Sequence, residues 1–197
     1  MSTAAEPARS LQKEWWLRAL TVVMSPRATF AALRDDSTEA AEARQEPIMA
    51  IVILGGIAGI LTTSLAGRLL DDPNNDGLNV ALWAFLGGAF YGLIVFWLGG
   101  LFVYAIAAAV RARTSYRQAR HVVGLAMAPV ALSLLTVWPL RLAIYGEDVF
   151  RTGGSDAGAA DKLFEALIVG CFAWAFALVA LGLIELRKSS SSSSAIA

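Results

Sequence analysis

Cysteine and histidine are almost absent from this chain, which has one of each, Cys171 and His121, among 197 residues. A single cysteine cannot form a disulfide framework within the chain, and one histidine cannot supply the usual ligand cluster of a metal site. Charged residues are also scarce, at 16%, and the formal net charge is zero. This charge balance gives no support for nucleic-acid binding, and we expect no nucleic-acid partner.

Ionisable side chains are missing altogether from four long apolar runs. Three of these runs have 19 residues and one has 33: Ile48–Ala66, Val122–Leu140 and Ala166–Ile184, and the longer Leu78–Val110. A helix of roughly 20 apolar residues crosses the hydrocarbon core of a bilayer, and such runs are too long for barrel strands. The sequence therefore predicts an all-α, polytopic membrane protein with four transmembrane helices, at about residues 48–68, 78–110, 121–144 and 163–185.

The segments between and beside the predicted spans are alternately rich and poor in lysine and arginine. The segment before the first span, the 111–120 loop and the C-terminal tail hold twelve of these residues, whereas the other two loops hold four. Short loops rich in positive charge stay in the cytoplasm. We therefore expect an integral protein of the cell membrane with both termini cytoplasmic and no cleaved signal peptide. The last residues, 189–197, are rich in serine and predict a disordered tail.

The first 47 residues form a cytoplasmic or interfacial segment in which we expect two short helices. Residues 11–24 fit an amphipathic helix with Trp15 and Trp16 on its apolar side, and Ser25-Pro26 fits the start of a second helix. The first helix could lie among the lipid headgroups, or it could pack against the ends of the spans. Residues 35–47 are polar and favour a surface linker into the membrane.

Glycines recur at helical spacing in the first two spans. Small residues on one face let the backbones of two helices approach closely. Such a stripe could be a dimer face, which would give a homo-oligomer, or it could pack inside the protein's own bundle. A proline in the middle of the third span predicts a bend, because proline lacks the backbone N–H that a helix uses. The residues expected at helix contacts are Gly55, Gly59, Gly88, Gly92, Gly99 and Pro129.

Residues with catalytic chemistry do not gather in a motif. Catalytic and ion-coupled membrane proteins usually place ionisable groups within their spans, and the four runs contain none. We therefore expect no enzyme activity, no catalytic residue, no metal and no cofactor. Asp72–Gly77 matches the first half of a calcium-binding loop, but Trp83 stands where the closing glutamate should be. The same residue types also suit a simple turn.

A basic loop between the second and third spans is the place where we expect a functional contact. Four arginines, Arg111, Arg113, Arg117 and Arg120, fall within ten residues of one another. Together with Trp15 and Trp16, they are the residues expected to contact anionic lipid or a protein partner at the cytoplasmic face. The simpler interpretation is that these charges only set the topology.

Two short segments keep a distinctive order relative to the spans. Ser25–Phe30 reads S-P-R-A-T-F, and Thr114–Ala119 reads T-S-Y-R-Q-A, with Gly124 and Pro129 following in the third span. This order resembles the Yip (Ypt-interacting protein) domain family in its bacterial form, whose motifs are S-P-x-x-x-F, S-[YF]-x-Q and G-Y-x-x-x-P. Leu125 stands where that family often has its tyrosine.

The resemblance covers about residues 25–188 and implies a polytopic, non-enzymatic membrane protein. The family typically has five spans, whereas this sequence predicts four. Eukaryotic members bind Rab-type GTPases in vesicle traffic, and we infer no such partner from the resemblance to bacterial members.

Two hypotheses of function follow from the sequence. In the first, the protein is non-enzymatic and organises or assists membrane partners, still unidentified proteins among them, through its cytoplasmic face. In the second, it is a small transporter or channel subunit that uses helices broken by glycine and proline. A polar cavity lined by Thr62, Thr63, Ser133 and Thr136 would favour the second hypothesis.

Overall fold

Helices account for most of the computed structural model of this chain. The structure describes residues 5–193 except 113, 157 and 160, and it describes side chains only within residues 10–188. The α-helices in this part of the chain are α1 (Ala5–Thr21), α2 (Pro26–Ala32), α3 (Thr38–Leu61), α4 (Gly77–Ile94), α5 (Gly100–Ala109), α6 (Tyr116–Ala126), α7 (Ala128–Tyr145) and α8 (Asp161–Ser193). Short 3-10 helices cover Ala66–Asp71 and Gly146–Phe150.

Four helical stretches in the described part are long and apolar enough to cross a membrane. They are Thr38–Leu61, Gly77–Ala109, Tyr116–Phe150 and Asp161–Lys188. The predicted all-α fold class with four transmembrane helices is thereby confirmed. The third stretch is interrupted at Met127, where α6 ends and α7 begins, and Pro129 is the second residue of α7. That position suits proline, because the first-turn N–H groups of a helix have no partner within it.

Side-chain oxygens at the N-termini decide where three of the helices begin. The Ser37 hydroxyl accepts from the Ala40 N–H at the start of α3, and the Asp76 carboxylate accepts from the Asn79 N–H at the start of α4. At α6, Ser115 and Gln118 form a reciprocal capping box. These caps satisfy backbone donors that a helix leaves free at its first turn.

The first membrane helix begins ten residues earlier than the predicted span. Residues 38–47, for which the sequence favours a surface linker, are helical and continue into the span as part of α3. Arg44 in this stretch is fully buried, and Pro47 is buried as well. The difference arises because Ser37 caps the helix and because α1 packs along this part of α3.

Glycines bring α3 and α4 into close contact. A methyl group added at Gly56 would lie 2.2 Å from the Gly88 carbonyl oxygen, and one added at Gly92 would lie 2.2 Å from the Val52 carbonyl oxygen. Gly88 itself faces the Ile57 backbone. The remaining predicted glycines face side chains of the same chain: Gly55 contacts Met127, Gly59 contacts Tyr91 and Gly99 contacts Val123. All five therefore pack within the bundle of this chain.

The bundle has two ends with different polar groups. We call the end that holds Arg34, Arg44, Arg117 and Glu185 the basic end, and the end that holds Arg141 and Asp161 the loop end. From Asp161 to Lys188, α8 has 28 residues and is therefore about 40 Å long. A large core near the basic end includes Phe30, Ile48, Phe96, Leu125 and Leu178, and a smaller core near the loop end is built around Trp138 and Phe150.

A π-helical turn, Val95–Gly99, joins α4 to α5 within the long second span. The regular α-helical pattern of the span is therefore interrupted at this turn. The carbonyl oxygen of Trp97 in this turn accepts a hydrogen bond from the Tyr116 hydroxyl at 2.8 Å. A π turn displaces carbonyl groups from the regular ladder, and here a side chain of the next helix takes one of them.

The last helix continues into the serine-rich segment. Its backbone is helical through Ser193, whereas the sequence predicts a disordered tail from residue 189. Residues 194–197 lie outside the described part of the chain.

Candidate functional site: a polar cluster at the basic end

The carboxylate of Asp36 lies at the centre of a polar cluster at the basic end. Asp36 lies in the short loop between α2 and α3, and it accepts hydrogen bonds from Arg44 Nη2 at 3.0 Å, Arg117 Nε at 2.8 Å and the Ser115 hydroxyl at 2.7 Å. Arg117 also donates to the backbone carbonyl of Asp36. We call Asp36, Arg44, Ser115, Arg117, Gln118 and His121 the Asp36 cluster.

Arg44 brings a buried positive charge to the Asp36 cluster. Its side chain is fully buried, and its guanidinium donates to the Asp35 carbonyl at 2.6 Å as well as to Asp36. The same guanidinium lies 5.6 Å from the ring centre of Trp15, so the first helix covers it. A buried charge is tolerated when it is paired and its donors are satisfied, which is the case here.

His121 receives the third contact of Arg44. Arg44 Nε donates to His121 Nδ1 at 2.9 Å, so the ring accepts at Nδ1 and carries its proton on Nε2. The His121 side chain is fully buried, its ring stacks on Phe96, and Nε2 has no hydrogen-bond partner among the described residues. The histidine is therefore held as a neutral acceptor that orients Arg44.

Gln118 connects the start of α6 to the loop after α2. Its side-chain oxygen accepts from the Ser115 N–H at 3.0 Å, and its side-chain nitrogen donates to the Leu33 carbonyl at 3.0 Å. One residue thus completes a helix cap and binds the N-terminal segment. Because Ser115 binds Asp36 and Gln118 binds Leu33, the first turn of α6 holds both ends of the α2–α3 loop.

The charge of the Asp36 cluster follows from these contacts. Burial of the Asp36 carboxyl disfavours its ionised form, but the hydrogen bonds from Arg117 and Ser115, together with the charges of Arg117 and Arg44, lower its pKa below the usual value. The pKa of the neighbouring Asp35 is lowered by hydrogen bonding to Ser37. Asp36 is therefore ionised at neutral pH and acts as the counter-ion of two arginines.

The four arginines expected to contact lipid or a partner have different surroundings. Arg117 pairs with Asp36, and the guanidinium carbon of Arg120 lies 4.4 Å from the ring centre of Trp97. Arg111 is exposed, with a left-handed backbone conformation (φ 56°). Arg113 lies outside the described residues. Of the two tryptophans grouped with them, Trp15 is buried in the core and Trp16 is exposed.

A second set of ion pairs lies at the loop end. Arg141 donates to the Asp161 carboxylate from both Nε and Nη2, each at 2.7 Å. Its Nη2 also lies 3.1 Å from Asp156, and the guanidinium lies over Trp138. Nearby, hydrogen bonds from the Thr152 hydroxyl and backbone lower the pKa of Asp71. These contacts fasten the last loop to α7 and α8.

The oxygens of Asp72–Gly77 are used within the chain. The Asp72 carboxylate accepts from the Asn74 backbone at 2.9 Å, the Asn75 side chain donates to the Leu69 carbonyl, and Asp76 caps α4. Among the described residues, no group of three or more histidine, cysteine, aspartate or glutamate side chains is arranged to hold a metal ion. The segment is therefore a turn leading into a capped helix.

The sequence of this chain matches a known protein family. A family model described as the Yip1 domain matches residues 20–197. The chain belongs to the Yip1 domain family. No curated protein and no solved structure matches it. The Yip1 match takes in both ends of the Asp36 cluster, since it covers the α2–α3 loop and the start of α6.

The Yip1 motifs include some residues of the Asp36 cluster but not others. Ser115 and Gln118, which belong to the T-S-Y-R-Q-A segment, form the capping box and bind the N-terminal loop. Sequence reasoning missed Asp36, Arg44 and His121. The capping pattern of Ser115 and Gln118 was a readable signal for the start of α6, but nothing in the local sequence marks Asp36 as its partner.

Proposed function

We propose that this Yip1-domain protein is a non-enzymatic organiser of membrane partners, which it engages through its basic end on the cytoplasmic side of the cell membrane. The observation that supports this most directly is the Asp36 cluster. It fixes the N-terminal segment onto α6 and so gives the basic end a defined surface, with the exposed Arg111 beside it.

The internal arginines and the exposed arginine have separate roles in this proposal. Arg44, Arg117 and Arg120 are engaged with side chains of this chain, so they shape the surface. Arg111 follows the end of α5 and is available to a carboxylate of a partner or to an anionic headgroup. Lysine would serve equally for a headgroup, whereas a carboxylate favours the planar fork of arginine.

The experiment is affinity capture from native membranes in mild detergent with wild type, Arg111→Glu and Arg151→Glu, and with Arg111→Lys as a fourth protein. Arg151 is exposed near the loop end and serves as the matched control. We expect Arg111→Glu to lose proteins that wild type and Arg151→Glu retain. Recovery of the same proteins by wild type and both glutamate variants would refute the proposal, and recovery of the same set by Arg111→Lys would reduce the contact to simple charge attraction.

The hydroxyl groups that would support a transport function are occupied within their own helices. Thr62 donates to the Gly59 carbonyl, Thr63 to Ile60, Ser133 to Val130 and Thr136 to Leu132. A hydroxyl that donates to its own helix is a common way to hide a polar group in a membrane helix. These contacts favour the organiser over the transporter.

A further inference from the structure

We propose that α1 and α2 form a re-entrant hairpin that occupies only the basic-end leaflet of the bilayer, and that this wedge makes the protein favour membranes that are convex on that side. The interaction surface is the outer face of the hairpin, and its partner is the acyl-chain region of one leaflet. This role is separate from the docking of protein partners.

The mouth of the hairpin lies at the basic end. In the middle of α1, nine residues before its end, Gln12 donates to the carboxylate of Glu46 on α3. Just after α2, Arg34 donates to both the side chain and the backbone carbonyl of Glu185 on α8, at 3.1 and 3.2 Å. The chain thus enters the hairpin through α1 and leaves it after α2 at the same end of the bundle.

The tip of the hairpin lies halfway along the bundle. Residues 24–28, which are the end of the turn after α1 and the first residues of α2, line one crevice together with Trp174 of α8. Trp174 precedes Glu185 by 11 residues, which is about 16 Å of helix. It also lies 13 residues after Asp161, close to the middle of the membrane-spanning part of α8. The tip therefore lies at the depth of the middle of the bilayer.

The inner face of the hairpin is apolar, and its outer face carries large apolar side chains towards the tip and the Glu14–Arg18 ion pair nearer the mouth. Trp15, Val22 and Phe30 on the inner face are buried in the large core. On the outer face Leu17, Leu20 and Met24 are 57, 69 and 89% exposed, and the exposed fraction rises towards the tip. Phe176, two residues after Trp174 on α8 and so at a similar depth, is 75% exposed on a membrane-spanning helix. The exposed apolar side chains near the tip of the hairpin therefore lie at the depth of a lipid-facing residue of α8.

Part of the backbone of the turn at the tip is paired within the hairpin, as a hydrocarbon environment favours. The N–H groups of Met24 and Ser25 both donate to the Thr21 carbonyl, at 3.0 and 2.8 Å. The Thr21 and Thr29 hydroxyls donate to carbonyls of their own helices or the turn. Arg27 is exposed near the tip, and its long side chain can extend towards the headgroups.

The hairpin gives the molecule unequal cross-sections in the two leaflets. At the loop end, the described chain crosses as four helices, α3, α4, α7 and α8. At the basic end α3, α5, α6 and α8 are joined by α1, which packs on α3, and by the seven-residue α2, which packs on α8. Each added helix has a diameter of about 10 Å with its side chains. Extra protein area in one leaflet is accommodated when the membrane becomes convex on the side of that leaflet. Interfacial helices are sensitive to curvature for the same reason.

The depth of the tip is tested with nitroxide labels on single cysteines in the Cys171→Ala background, in vesicles of phosphatidylcholine and phosphatidylglycerol. Met24→Cys reports the tip, Phe176→Cys a mid-membrane reference and Lys13→Cys the mouth. We expect the Met24 label to match the Phe176 label, with high accessibility to oxygen and low accessibility to a water-soluble nickel chelate. A Met24 label that matches Lys13 would overturn the proposal.

The curvature preference is tested by pulling narrow tubes from giant vesicles of the same lipids that contain fluorescent protein with its basic end outside. We expect wild type to be denser in the tube than on the vesicle, and the enrichment to be lost in Leu20→Lys/Met24→Lys, which keeps the buried face unchanged. Leu65→Lys, an exposed position after α3 near the loop end, is the control and should stay enriched. Equal tube and vesicle densities for wild type, or undiminished enrichment of the double variant, would overturn the proposal.

Discussion

Arg44 donates a hydrogen bond from Nε to Nδ1 of His121 across 2.9 Å, although the two residues are 77 positions apart and both side chains are fully buried. This contact joins α3 to α6 at the basic end. It also fixes the neutral form of the histidine, because the accepting nitrogen cannot carry a proton.

Replacing Arg44 by alanine is expected to lower the free energy of unfolding by about 3–5 kcal/mol, because removal of one partner leaves buried polar groups without their contacts. The measurement is thermal unfolding of the detergent-purified protein, with Arg111→Ala as an exposed control. A variant as stable as wild type would show that Arg44 is not needed to hold the cluster together.

Stability should fall in acid through Asp36. Its folded pKa is lowered, so its contribution is present above the unfolded value, close to 3.8, and is lost as the pH falls through the folded value. Asp36→Asn is therefore expected to melt below wild type at neutral pH, with the difference closing in acid. The melting temperature is measured across this pH range, with the exposed Glu42→Gln as control. A constant difference at all pH values would contradict the prediction.

Gly92→Leu is expected to destabilise the protein by about 1–3 kcal/mol, since the side chain would have to enter the α3 backbone at Val52. Gly170→Leu is the matched control, because no atom lies within 4 Å of a methyl group added there. Thermal unfolding of both variants in the same detergent makes the comparison. Equal melting temperatures for the two would mean that α3 and α4 do not pack as closely as described.

Single cysteines should react differently with an impermeant maleimide on intact cells, in the Cys171→Ala background. We expect Asn74→Cys and Ser155→Cys to be labelled, and Arg111→Cys and Ser192→Cys to be labelled only after the membrane is permeabilised. The reason is the unequal distribution of lysine and arginine between alternate loops. Labelling of Ser192→Cys but not of Arg111→Cys on intact cells would require a different number of crossings.

The membrane-spanning helices could be predicted because their signal is local. An uncharged run of about 20 residues has few alternatives to a transmembrane helix, whatever packs against it. The start of α3 could not be predicted in this way. Residues 35–47 are rich in charged side chains, which favours a surface linker. The burial of Arg44 among them depends on its contacts with Asp36 and His121, which are not visible in the local sequence.

The candidate site could be predicted only in part for the same reason. The capping pattern of Ser115 and Gln118 lies within four residues, so it can be read from the sequence. The contact of Arg117 with Asp36 joins residues 81 positions apart, and a single sequence carries no information on such a pairing. Arg117 was therefore expected at a surface contact, whereas its guanidinium lies against the N-terminal loop.

Several donors at the basic end bind main-chain carbonyl groups: Arg44 binds that of Asp35, Gln118 that of Leu33, and Arg34 that of Glu185. A carbonyl oxygen is the same whichever side chain its residue carries. Substitution is therefore restricted more strongly at the residue whose side chain donates than at the residue whose carbonyl accepts. The donor at 44 or 118 has few substitutes, whereas the contact that Arg44 makes with the carbonyl of residue 35 does not depend on the side chain at that position. Among relatives, we therefore expect these contacts to be recognised by the side chains that donate and not by the residues whose carbonyls accept.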